Sequence, residues 1–243
     1  VSVRLLIFAS GTLALTVLIA WLTYRSGQLL QQIEVPFNLL LAPAENVVRL
    51  IGVGVCLALG IGSGLQPQQL GWTFADPAGD LVWGAGLGLI GALLLHPLTR
   101  WAIDRFGPQV YSTVVIRNIL PRNRREWLLV ALAFGPAALL EELLFRSLLL
   151  GGFSVFLSPL GLAIAGAIVF GLMHLPQGSL GATATGGLGL GLALLFLWRG
   201  SLLTPLAAHY VINTVQLLRA HQERDWLESV DAGGQPTAMP PGR

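Results

Sequence analysis

The sequence has no lysine, a single cysteine and little charge of either sign. All 14 basic residues are arginine, and charged residues make up 11% of the chain, against about 25% in a typical soluble domain. With 54% hydrophobic residues and a mean hydropathy of +0.71, this shortage of charge excludes an ordinary soluble domain and describes a polytopic membrane protein. The net charge of +2 is too small to point to nucleic acid, so no nucleic-acid partner is expected. Cys56 alone cannot form an intrachain disulfide, and its place in an apolar run reads as a small core residue. No hydrophilic stretch is long enough for a second domain. The first apolar run, Leu5 to Trp21, lacks a clear small-x-small cleavage site and is followed by further apolar runs. It reads as a retained helix, not a leader.

What is there is a series of apolar stretches. A span needs about 20 mostly apolar residues. Seven stretches qualify, at roughly 4–23, 46–65, 80–98, 127–150, 156–175, 179–198 and 202–219. The expected fold is therefore all-α, a polytopic membrane bundle of about seven helices around a polar intramembrane cavity. The segment after Phe106 is a candidate surface helix. Three regions are expected: N-terminal helices with a basic connection over 1–126, a core over 127–219, and a disordered polar tail over 220–243. The sixth stretch, rich in glycine and small residues, suits close helix approach in lipid. Eleven arginines fall on one side of a seven-span arrangement and two, Arg4 and Arg199, on the other. The positive-inside rule puts the larger group, and the C-terminus, in the cytoplasm.

Three charges interrupt the greasiest part of the chain. Glu141, Glu142 and Arg146 stand in "PAALLEELLFRSLLLGG", and no other residue between Trp127 and Trp198 is acidic or basic apart from one histidine. Each ionised residue at mid-membrane costs about 2.5–3.5 kcal/mol on insertion scales. Glu142 precedes Arg146 by four positions, the favourable order for a helical ion pair. Glu141 is rotated about 100° away, which leaves Glu142 as the structural partner of Arg146 and Glu141 as the carboxylate free to act. A free carboxylate at that depth calls for another partner, a metal or a proton.

Two later stretches supply partners. Phe170 and His174 lie four apart at the end of the fifth, and His209 and Asn213 lie four apart in the seventh. A carboxylate takes a proton from water, imidazoles share or donate it or bind a metal, and a carboxamide donates to a developing oxyanion. These are the parts of a hydrolase that attacks an amide with water. No acyl-enzyme nucleophile is evident: Cys56 lies far off in sequence and Ser147 has no base at an obvious spacing. His96 reads as an interfacial residue, and His221 as part of the solvated tail.

Together, Glu141-Glu142-Leu-Leu-Phe-Arg146, Phe170-Gly-Leu-Met-His174 and His209-Tyr-Val-Ile-Asn213 resemble the motifs of the CAAX protease and bacteriocin-processing family of intramembrane proteases, also called CPBP or Abi. The resemblance covers roughly residues 127 to 215, and the first three stretches carry none of it. It implies a membrane-embedded endopeptidase acting on a membrane protein or peptide, lipid-modified or not, with membrane lipids as further partners. The expected location is a bacterial cytoplasmic membrane. Two versions of the mechanism follow from the resemblance. In one, Glu141 and His174 activate water while His209 and Asn213 stabilise the oxyanion, with Glu142, Arg146 and Phe170 in supporting places. In the other, Glu141, His174 and His209 hold a zinc-type metal. The Asn has a defined role only in the first, and there is no His-Glu-x-x-His run.

Two other classes fit the charges: a non-catalytic membrane binding or immunity module, and a proton-coupled transporter. A scaffold has no need of the insertion cost, and a transporter often shows internal repeats that are absent here. One conflict stands. A fourth span entering from the cytoplasm puts Glu141 about 21 Å along its helix, whereas His174 closes the fifth span near the cytoplasm. The two meet only if a helix is tilted, broken or shorter than drawn, and Pro136 is a candidate bend.

Overall fold

A computed structural model describes residues 2–33 and 35–231. Every regular element among the described residues is helical. Local chemistry sets the boundaries. Helix α1 (Val3–Leu30) is capped by Ser2, whose hydroxyl accepts from the Leu5 N–H. Helix α2 (Pro43–Gly62) opens on a proline at its first position, where the missing N–H costs nothing. The same device, with Asp76 as N-cap, starts α3 (Pro77–Phe106), which stops at Gly107, φ +90°. The short α4 (Val114–Ile119) follows within the basic connection. Asn123 caps α5 (Arg124–Glu142), and this helix runs on without a break as a π-helix over Leu143–Gly152. Then come α6 (Pro159–Met173), α7 (Gly178–Arg199), α8 (Leu203–Gln222) and α9 (Arg224–Asp231).

All seven expected stretches are occupied by helices. Five helical segments are long and apolar enough to cross a membrane: Val3–Leu30, Pro43–Gly62, Pro77–Phe106, Arg124–Val155 and Leu175–Arg199. Helix α6 is apolar but has only 15 residues. Helix α8 has the length, and its polar residues, among them His209, Asn213, Gln216 and Arg219, lower its hydropathy. Large aliphatic side chains point outward on several helices, with Val17 68%, Ile61 75% and Val82 71% exposed. That arrangement suits a lipid-facing surface.

Close helix approach organises the interior. Helix α3 lies against α8, and a Cβ at Gly84 or Gly88 would collide with the carbonyls of Thr204 and Ala208. Helices α6 and α7 meet in the same way, where a Cβ at Gly171 would stand 2.7 Å from the Ala182 carbonyl. The largest apolar cluster joins Phe8 of α1 and Cys56 of α2 to Leu143, Leu144 and Leu148 of the π-helix, Phe170 of α6 and Phe196 of α7. The N-terminal helices thus wall in the segment that carries the charges.

The tail begins later than the sequence suggests. Helix α8 extends through residues 220–222 and α9 occupies 224–231. The reason is packing: Leu227 is 4% exposed in a cluster with Leu120, Val130 and Leu217, and Trp226 packs against it. The rest of the expected disordered tail, 232–243, lies outside the described residues.

Candidate active site

The site is built where α5 passes into its π continuation. π-Helical turns are rare and often mark functional sites. Glu141 and Glu142 are the last residues of the α portion, and Arg146 lies one turn into the π portion. Glu142 is fully buried and Arg146 nearly so, and Arg146 Nη1 donates to Glu142 Oε1 at 3.0 Å. Arg146 Nη2 donates to the Gly189 carbonyl of α7 at 2.9 Å. The guanidinium also lies 5.0 Å from the Phe170 ring centre. The expected ion pair is present, and a backbone carbonyl and an aromatic face complete the shell around the cation.

Glu142 has a second partner that the helical spacing did not suggest. His209 Nδ1, on α8, lies 2.7 Å from the same Oε1. Its Nε2 faces Glu141 Oε2 at 3.6 Å. His209 thus stands between two adjacent carboxylates, one fully buried and one with a third of its side chain exposed. The other oxygen of Glu142, Oε2, is buried with no hydrogen-bond partner. An unmatched carboxylate oxygen in a dry interior is costly. It marks a place for a water molecule, a proton or a polar group of a ligand.

His174 closes α6, its Nδ1 2.7 Å from the Phe170 carbonyl. Donation from Nδ1 leaves Nε2 as the basic nitrogen. Phe170 ties the elements together: its ring centre lies 4.8 Å from that of His174, 6.2 Å from that of His209 and 5.0 Å from that of Phe145. The depth conflict is relieved by the length of α6. Its 15 residues span about 22 Å, so His174 stops short of a full crossing. Asn213 lies one turn beyond His209 on α8, half-buried.

The structure gathers Glu141, Glu142, Arg146, Phe170 and His209, with His174 beside them through Phe170. It does not gather a metal site. Among the described residues, no three His, Cys, Asp or Glu side chains form a group able to hold an ion. Glu142 holds Nδ1 of His209 and the Phe170 carbonyl holds Nδ1 of His174, so each imidazole keeps Nε2 for other partners. Glu141, His174 and His209 are not drawn into one such group among the described residues. Ser147 and Cys56 are fully buried. The Ser147 hydroxyl has no hydrogen-bond partner, so no side chain is placed to activate it.

Sequence reading missed the Gly189 carbonyl, because a backbone acceptor leaves no residue signature. It also missed the π turn. The bond from Glu142 to His209 had a faint signal: a histidine in an otherwise apolar helix face needs a buried partner.

No curated protein and no solved structure matches the chain. A family model does, over residues 123–215: that of the Rce1-like proteins, described as type II CAAX prenyl endopeptidase Rce1-like. The matched stretch runs from the cap of α5 to the middle of α8 and contains every charged and polar side chain of the site. Through residues 123–215, this integral membrane chain is similar to the CAAX protease family, in its Rce1-like branch.

Proposed function

We propose that the protein is a membrane-embedded endopeptidase that hydrolyses a peptide bond of a membrane-associated protein or peptide with a directly activated water. The observation that carries this reading is His209 held between Glu142 and Glu141, beside a buried carboxylate oxygen with no partner.

In this reading Glu141, the more accessible carboxylate, takes a proton from the attacking water. His174, its Nδ1–H held by the Phe170 carbonyl, offers Nε2 to hold that water, and the proton that Glu141 has taken passes to the departing amine. Glu142 orients His209 through Nδ1, as a carboxylate behind a working imidazole does. Nε2 of His209 and the Asn213 carboxamide then serve the oxyanion. Arg146 compensates the second carboxylate so that both can stay in the interior. Prenylated and unmodified chains both satisfy this chemistry. The basic side of the bundle is assigned to the cytoplasm, with the described end of α8 there.

The test is cleavage by the purified full chain in detergent, against a peptide library with and without a prenylated cysteine. Mass spectrometry locates the cut, and the assay is repeated with a chelator. Cleavage that persists under chelation and is absent in Glu141→Gln supports the reading. No cleavage of any peptide overturns it. Activity that chelation removes and added zinc restores overturns the water-only version.

A further inference from the structure

Helix α1 lies outside the stretch that the family model matches, yet it runs alongside the site. A glycine marks the contact at each of its ends. A Cβ at Gly152 of the π-helix would collide with the Phe8 ring, and a Cβ at Gly27 would collide with Pro176, two residues past His174. Helix α6 links the same two levels. It starts shortly after Gly152, and its Phe170 meets Phe145 of the π-helix with 5.0 Å between ring centres. Helix α1 therefore runs with α6 and antiparallel to the π-helix, from Gly152 back towards Glu142.

Between Phe8 and Gly27, α1 buries only Thr12 and Thr16. A buried hydroxyl is costly unless it is bonded. Thr16 is answered by its own helix, its Oγ1 donating to the Thr12 carbonyl at 2.8 Å. Thr12 is fully buried and its Oγ1 has no hydrogen-bond partner. Ser147 is in the same condition on the π-helix. Thr12 stands one α turn on from Phe8, and Ser147 one π turn back from Gly152. The two hydroxyls are thus brought to one depth on facing helices. One π turn further back is Glu142, whose Oε2 is the third buried atom without a partner.

The three atoms make a matched set. A carboxylate oxygen only accepts, whereas each hydroxyl donates and accepts. One water donates to Glu142 and to one hydroxyl and accepts from the other, and buried waters typically make about three hydrogen bonds. From this alignment we infer that Thr12 and Ser147 bind a water against Oε2 of Glu142, and that through it they are positioning residues for the Glu142–His209 pair. Oε1 of Glu142 is shared between Arg146 and His209. Fixing Oε2 from the other side stops the carboxylate from turning and keeps Nε2 of His209 aimed at Glu141. The effect on turnover rests on the peptidase reading, and the water site does not.

The experiment uses the full chain in detergent, as wild type, Thr12→Val, Thr12→Ser and Ser147→Ala. Radiolysis of bound water marks the side chains beside it, and Leu148, next to Ser147, is fully buried from bulk water. Mass spectrometry reads the label on Leu148, and peptide cleavage and a thermal melt are run on the same samples. The wild type is expected to label at Leu148, and Thr12→Val and Ser147→Ala to lose most of that label. Their kcat should fall about 10- to 100-fold at unchanged KM, the usual scale for a group that orients a working imidazole. Thr12→Ser should restore both label and kcat. A hydroxyl that binds nothing gives the opposite result, because an apolar isostere in its place is neutral or stabilising. No label in the wild type overturns the water site. A Thr12→Val protein that melts no lower than the wild type and keeps its kcat overturns it as well. Label lost at unchanged kcat overturns the positioning role. Label that depends on Thr12 in a chain that cleaves no peptide supports the water site and sinks the peptidase reading instead.

Discussion

Two ionic clusters tie helices together in this bundle, one largely buried and one at the end of α7 that is partly exposed. At the end of α7, Arg199 Nε donates to Asp80 Oδ1 and Nη2 to Asp76 Oδ2, both at 2.8 Å. Thr204 adds a hydroxyl to Asp80 at 3.1 Å. Asp80 is 3% exposed, and the Ser201 hydroxyl is a further partner. The cluster pins α3 to α7 and α8 where α7 ends. In the cluster of Glu141, Glu142, Arg146 and His209, Glu142 Oε2 has no hydrogen-bond partner, and Glu141 has His209 at 3.6 Å and the charge of Arg49 near it. A cluster whose carboxylates are matched by a guanidinium and hydroxyls is a fastener. One that leaves a carboxylate, Glu141, partly exposed beside an imidazole can present it to a reactant.

Substitutions can break or sharpen that contrast. The largest effect is expected from Glu141→Gln, which removes the proposed base. Its kcat should fall by about 10²–10⁴, while the half-exposed position leaves Tm near the wild-type value. Steady-state peptide cleavage with a thermal melt of the same sample checks both. Next comes Asn213→Ala. Loss of one oxyanion donor should lower kcat by about 10²–10³ with little change in KM, because the bond tightens as charge develops. Asp80→Asn should have the smallest effect on catalysis. It weakens the outer fastener, so the melt should shift down while kcat per folded molecule stays at the wild-type level. A loss of kcat in Asp80→Asn at unchanged Tm would erase the distinction between the two clusters.

The same contrast shows what the sequence could reveal. Hydropathy located every long helix, because a lipid-facing helix advertises its length in apolar residues. The Glu142–Arg146 pair was legible because helical neighbours are set by spacing alone. The contact between Glu142 and His209 was not, because they lie 67 positions apart with two helices between them. Nor was the Asp76–Asp80–Arg199 fastener, whose arginine reads from sequence as a topogenic charge. The π-helix over Leu143–Gly152 has no periodic signature of its own. The end of α8 and all of α9 look like a polar tail until Leu227 is seen to be buried by tertiary packing.

The most direct test of the account is the kcat of Glu142→Gln per folded molecule, measured with its unfolding free energy in the same detergent. Glu142 belongs to both halves of the argument, as partner of Arg146 and of His209. The account predicts that both quantities fall. Stability should drop by about 3–5 kcal/mol, because Arg146 is left as an uncompensated buried charge. The surviving folded molecules should turn over far more slowly, because His209 loses the carboxylate that orients it. A Glu142→Gln protein that is less stable but turns over at the wild-type rate would contradict the account and make the inner cluster a fastener like the outer one.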